Sequence, residues 1–199
     1  MYIKYIKRVI DFLLSFMSII LFSWLIVILI ILIRLTSKGP ILFYQRRLGK
    51  DGKEFNMIKF RTMRTDTPSD VPTHLLKNPD SYITSVGKFL RKTSLDELPQ
   101  LINILKGDMS IVGPRPALWN QYDLIEERDL YKANTVRPGL TGWAQINGRD
   151  ELPILVKAQL DGEYIKNISF QFDLKCILRT AYCVIKHDGV KEGAANVGD

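Results

Sequence analysis

Two cysteines and two histidines are all that 199 residues hold of these types. Cys176 and Cys183 lie seven positions apart, and on one helix that is a rise of about 10 Å, too long for a disulfide. They read as small apolar side chains of a reducing compartment. His74 and His187 have no cysteine or histidine neighbour, which leaves no zinc site in view. Internal repeats are missing, and no stretch matches a nucleic-acid-binding motif. Also missing is a small-residue cleavage site after the first apolar run, so that run does not read as a removed signal peptide.

Charge of one sign is in short supply. Against 28 Lys and Arg stand 21 Asp and Glu, a formal net charge of +7. Such a balance favours anionic partners, and beside a membrane segment the lipid surface and phosphates come before nucleic acid. The hydrophobic share is 46%, much of it in the first 35 residues. The rest of the chain is enough for one modest domain. The expected division is a membrane-anchoring helix over 1–38, a cytoplasmic domain over 39–189 and a flexible tail over 190–199.

From Phe12 to Ile33 only Ser15, Ser18 and Ser23 interrupt the apolar run. As one straight helix it would be about 33 Å long, enough to cross a hydrocarbon core. Lys4, Lys7 and Arg8 precede it, and Arg34, Lys38, Arg46, Arg47, Lys50 and Lys53 come after it. The positive-inside rule draws both flanks to the cytoplasm, which a spanning helix cannot satisfy and a re-entrant one can. Asp11, at the edge of the run, is easier to place near headgroups than in lipid. Either topology is compatible with the residues.

Asp51-Gly52 predicts the turn of a β-hairpin over Ile41 to Met63. Residues 64–82, with Pro68, Pro72 and Pro79, read as a loop. Helices are expected over Val86 to Arg91, Ser94 to Lys106 (stopped by Gly107), Pro116 to Tyr131 and Leu155 to Lys166. Arg137 to Arg149 reads as a glycine-punctuated loop around Trp143. Phe172 to His187 is amphipathic, with Leu174, Ile177, Leu178, Ala181, Val184 and Ile185 on one face, suited to a core or to a membrane interface.

The chemistry concentrates in Arg91-Lys92-Thr93-Ser94-Leu95-Asp96-Glu97-Leu98-Pro99-Gln100. Ser94-x-x-Glu97 fits a capping box, and acids in a first turn suit the helix dipole. With Asp96 as the cap instead, Pro99 falls in the first turn, where no hydrogen bond is lost. The same helix start would hold Asp96 ionised and offer N–H groups to a phosphate, with Arg91 and Lys92 adding positive charge. Two adjacent carboxylates can share a divalent cation, and oxygen-only ligation points to Mg²⁺.

Four stretches in order, Lys59 to Met63, Thr93 to Gln100, Leu105 to Pro116 and Arg137 to Arg149, resemble the bacterial sugar transferases. More narrowly, the chain is similar to the small monotopic phosphoglycosyl transferases, from the apolar segment to about Asp188. The resemblance implies an α+β, mostly helical fold: an N-terminal re-entrant membrane helix, a β-hairpin, and amphipathic interfacial helices around a small cytoplasmic catalytic domain. It implies residence in the bacterial inner membrane. It also implies transfer of a phosphosugar from a UDP-sugar to polyprenyl (undecaprenyl) phosphate, through an aspartyl-phosphosugar intermediate and with release of UMP.

Asp96 matches the nucleophile, and Glu97 its partner in holding Mg²⁺. Arg115, in Gly-Pro-Arg-Pro, matches an arginine at the phosphate or nucleotide, and Arg91 is a further candidate for binding phosphate. Asp161 and Asp173 match family acids near the active site. Lys59 and Arg61 share the second hairpin strand, where a solvated face and phosphate binding both fit. One place departs from the pattern: Ser23-Trp24 stands where members commonly carry Ser-Pro. Serines bend a helix less strongly than proline does. Two other readings compete, a tethered module that binds anionic lipid and an ordinary glycosyltransferase, which would release UDP.

Overall fold

The computed structural model describes residues 2–67, 81–148 and 152–186. Most of them are helical, around a small hairpin. A π-helical turn, Tyr2–Ile6, leads into α1 (Lys7–Leu21), and α2 (Ser23–Thr36) comes next. The expected single helix is therefore broken. Phe22 (φ −95°, ψ 9°) leaves the helical region, and the two axes bend by 63°. The ladder runs up to the break, with Phe22 N–H on the Ser18 carbonyl, and resumes with Ile26 N–H on the Phe22 carbonyl. No single described helix is long and apolar enough to cross a membrane, whereas the bent pair together meets that test of length and composition.

One face of α1 is polar for a reason. Arg8 donates to the carbonyls of Ile104 and Leu105, at the end of α4 (Gln100–Lys106), where a cation is favourable. Asp11 is buried and accepts from Ser110 Oγ (2.7 Å) and Ile111 N–H (3.0 Å). The carboxylate thus ties α1 to β3 (Ser110–Val112). The opposite face, with Val9, Phe12, Leu13, Phe16, Met17 and Ile20, is exposed. On α2, Leu29 and Ile33 pack beneath Phe60 and Leu90, while Trp24, Val27, Ile28, Ile31 and Leu35 stay exposed. An apolar area this large marks a surface meant for something other than water.

The hairpin joins β1 (Leu42–Leu48) to β2 (Glu54–Phe60), with Leu42 opposite Phe60 and Leu48 opposite Glu54. Asp51 (φ 55°) and Gly52 (φ 75°) form its tip, the left-handed pair that Asp-Gly supplies at least cost. Residues 116–118, expected to begin a helix, run extended beside β1. Leu48 N–H bonds the Ala117 carbonyl, Arg47 bridges to Leu118 and also donates to the Pro116 carbonyl. Pro114 and Pro116 have no N–H to offer a helix, and β1 takes the carbonyls, so α5 is only Tyr122–Leu130.

A second correction concerns the glycine-punctuated loop. It contains β4 (Gly139–Thr141), parallel to β3, and a short α6 (Trp143–Ile146). The strands come close because Gly113 and Gly139 lack side chains: a Cβ on Gly139 would stand 2.2 Å from Gly113 N. Arg149 lies outside the described residues.

Helix α3 spans Ser85–Lys92, capped by Thr84 Oγ1 on Gly87 N–H. Helix α7 spans Ile154–Asn167 and α8 spans Phe170–Lys186. Met57, Leu101, Ile104 and Met109 form the core beneath the hairpin, and Val112, Trp143, Tyr164 and Cys176 form another beneath α8. The outer face of α8 carries Phe170, Leu174, Leu178 and Tyr182, all exposed at four-residue spacing. Leu174 and Leu178 are therefore not core residues.

Candidate active site

Ser94 takes a left-handed conformation (φ 57°), turning the chain from α3 into a 3₁₀ turn, Leu95–Glu97, that carries both acids. Helical backbone continues through Leu98 and Pro99 into α4. The capping box does not form, because the Ser94 side chain makes no cap bond and Glu97 points elsewhere. Pro99 stands at the N-cap of α4, where no helical hydrogen bond is forfeited.

Glu97 Oε1 accepts from Lys59 Nζ at 2.7 Å and from Arg115 NH2 at 3.1 Å. Lys59 Nζ also lies 3.9 Å from Asp96 Oδ2. The lysine projects from β2 next to Phe60, whose burial fixes the register of that strand end. Arg115 comes from the Gly-Pro-Arg-Pro turn after β3. Arg91, on α3, donates Nε to Thr62 Oγ1 (2.9 Å) and reaches Asp96 electrostatically.

The two carboxyls are driven apart. Burial pushes Asp96 above the ordinary aspartate range and the charge of Glu97 adds to this, against Lys59, Arg91 and Arg115. Burial also pushes Glu97 upward, but Lys59 and Arg115 outweigh it and hold Glu97 at about 2. The helix start by itself predicts a depressed Asp96. The correction has a physical reason: Asp96 is 8% exposed, and a single 3₁₀ turn gives little dipole to offset that desolvation. Neighbouring acids with separated proton affinities are suited to different roles.

Lys59, Arg91, Asp96, Glu97 and Arg115 thus meet at one place. The remaining expected site residues bond elsewhere. Arg61 is buried and donates NH2 to Ser37 O (3.1 Å) and Ser37 Oγ (2.7 Å), beyond the end of α2. Asp173 accepts from Tyr2 Oη, from Lys7 Nζ at 2.6 Å and from Tyr164 Oη at 2.8 Å, locking α8 to the N-terminal helix. Asp161, 1% exposed, pairs with Arg128 Nε (2.8 Å) and NH2 (2.6 Å). Burial pushes the Asp161 carboxyl up while Arg128 pulls it down.

Arg128 carries no signal in the sequence. It sits in an ordinary charged stretch, Glu126-Glu127-Arg128-Asp129, with nothing to separate it from a solvated helix face. In the fold it is buried, and its NH1 donates to the Arg115 carbonyl at 2.9 Å. Asp161 therefore reaches the site through Arg128, which holds the backbone of Arg115.

Among the described residues no group of three or more His, Cys, Asp or Glu surrounds a common point. Asp96 and Glu97 provide two hard oxygen donors and no soft ones. That set fits Mg²⁺, which keeps most of its coordination for phosphate and water.

The family described as bacterial sugar transferase matches residues 2–187, and the chain belongs to it. It is 40% identical over 188 residues to the uncharacterized sugar transferase EpsL of Bacillus subtilis (strain 168), covering 94% of this chain and 91% of that protein. It is 42% identical over 187 residues to the UDP-glucose:undecaprenyl-phosphate glucose-1-phosphate transferase of Escherichia coli (strain K12), covering 90% of this chain but 40% of that one. With the UDP-N-acetylgalactosamine-undecaprenyl-phosphate N-acetylgalactosaminephosphotransferase of Aeromonas hydrophila it shares 37% over 193 residues, 94% of this chain and 45% of that protein.

Proposed function

We propose that this protein transfers a phosphosugar from a UDP-sugar to undecaprenyl phosphate, as the first membrane step in building a capsule, O-antigen or glycoprotein glycan. The observation that carries the reading is the buried Asp96–Glu97 pair facing Lys59, Arg91 and Arg115, in a chain whose relatives are named for that reaction.

Ionised Asp96 attacks the sugar-linked phosphorus. A new O–P bond forms, the bond to the bridging oxygen breaks, and UMP leaves with that oxygen. An oxygen of undecaprenyl phosphate then attacks the same phosphorus, restoring the Asp96 carboxylate and giving an undecaprenyl-diphosphate sugar. Glu97 stays ionised throughout because Lys59 and Arg115 stabilise its charge. Arg115 and Arg91 screen the approach of carboxylate to phosphate. Mg²⁺, held by Asp96 and Glu97, would supply further neutralisation of phosphate charge.

The bend at Phe22 supports an anchor that enters and leaves on one face, which would keep both basic flanks in the cytoplasm. The exposed faces of α1, α2 and α8 would lie in the bilayer and its interface, with the catalytic part on the cytoplasmic side of the inner membrane.

The test is incubation with radiolabelled UDP-sugars, Mg²⁺ and undecaprenyl phosphate. UMP and a lipid-linked label, both lost in Asp96→Asn, are expected. Release of UDP would indicate an ordinary glycosyltransferase. No product from a broad panel would return the reading to a lipid-binding module.

A further inference from the structure

Arg61 is buried to 6% exposure, yet among the described residues its Nε and NH1 find no acceptor. Its NH2 is held by the carbonyl and hydroxyl of Ser37. A second guanidinium, Arg34 at the end of α2, turns toward the same Ser37–Gly39 turn, with NH1 3.4 Å from the Gly39 carbonyl. Burial first, and then the charge of Arg34, lower the proton affinity of Arg61. Among the described residues no carboxylate pairs with either arginine. Two neighbouring cations, one of them desolvated, are costly unless an anion joins them. Gly39 lets the turn pack directly against the guanidinium, since a Cβ there would stand 2.6 Å from Arg61 NH1 and 2.7 Å from Thr65 Cγ2.

Beside this pair runs an open apolar groove of about 360 Å³, lined by Ile30, Pro40, Ile41, Leu42 and Tyr44. Groove and cations share their supports. Ile30 is one turn before Arg34 on α2, and the Ile41 carbonyl accepts the backbone N–H of Arg61. On the other side, Thr62 is next in the chain after Arg61 and holds Arg91, which flanks Asp96. A ligand with an anionic head and a long apolar tail fits these surroundings.

We propose that Arg34 and Arg61 bind the phosphate of the undecaprenyl phosphate acceptor, with its first isoprenoid units in the Ile30–Tyr44 groove, apart from the donor phosphates at Arg115. This rests on the proposed phosphosugar transfer. A phospholipid headgroup carries related chemistry, but its phosphodiester has one charge where the acceptor's phosphate monoester approaches two. The monoester is the better match for two guanidiniums.

The experiment is equilibrium binding of radiolabelled undecaprenyl phosphate to the full chain in phosphatidylcholine nanodiscs, which requires no turnover. Wild type should bind, and Arg34→Gln should bind about tenfold more weakly, the effect of losing one charge-assisted contact. Arg34 is exposed, so its replacement leaves the core untouched; Arg61→Gln should weaken binding at least as much. An excess of phosphatidylglycerol, about twentyfold, should not compete, given the charge preference of paired guanidiniums. Equal binding by wild type and Arg34→Gln, or no binding by wild type, overturns the proposal. Full competition by phosphatidylglycerol overturns it too, in favour of a general headgroup site. Failure of UMP release with lipid binding intact would fault the proposed reaction and leave the acceptor site standing.

Discussion

Asp161→Asn separates two roles that a buried acid near an active site can play. The substitution keeps the shape of the side chain and removes the charge that faces Arg128 at 2.6 and 2.8 Å. Both partners are nearly inaccessible, with side-chain exposures of 5% and 1%. Removing one partner from a buried pair leaves an uncompensated cation, at a cost of about 3–5 kcal/mol. Against a total stability of about 5–15 kcal/mol, the urea midpoint should fall sharply, as followed by circular dichroism in detergent. Replacing both residues (Arg128→Met with Asp161→Leu) should recover most of that loss, because apolar groups of similar volume often substitute for a buried pair without penalty. The double variant still lacks the Arg128 NH1 bond to the Arg115 carbonyl, so kcat/KM should remain about tenfold low. A wild-type midpoint in Asp161→Asn, combined with loss of turnover, would refute this and make Asp161 a group that touches substrate.

The same geometry predicts other outcomes. Asp96 must be ionised to attack, and its proton affinity is raised, so UMP release should rise with pH through a limb above the ordinary aspartate value of about 3.9. Lys59→Met should move that limb to higher pH, and an unmoved limb would exclude Lys59 from the balance. Glu97→Gln should slow turnover and weaken its dependence on Mg²⁺, measured by titration after chelation; an unchanged metal curve would deny Glu97 a ligand role. Leu178→Glu, on the outer face of α8, should lower partition to lipid vesicles about tenfold without changing the fold. Unchanged partition would place that face in water.

Legible in the sequence is whatever depends on local chemistry. Asp51-Gly52 announces the hairpin tip, Gly107 the end of α4, and the amphipathic pattern marks α8. The adjacent acids and the Gly-Pro-Arg-Pro turn are visible as motifs, and the fold brings them within hydrogen-bonding distance. Hidden is whatever depends on partners distant in the chain. The bend at Phe22 has no proline to signal it. Residues 116–118 look helical until β1 claims their carbonyls, and β3 and β4 are three residues each, too short for any period. The partners of Asp11 are invisible locally because Ser110 and Ile111 stand 99 and 100 positions away. The raised affinity of Asp96 is a matter of burial, which no local pattern records.

The most direct measurement is intact-protein and peptide mass spectrometry of the enzyme quenched after exposure to its UDP-sugar and Mg²⁺ with acceptor withheld. The account predicts a mass increase of one phosphosugar on the peptide that contains Asp96, discharged when undecaprenyl phosphate is added and absent in Asp96→Asn. Full turnover with no adduct at any quench time, or an adduct on another residue, would contradict it.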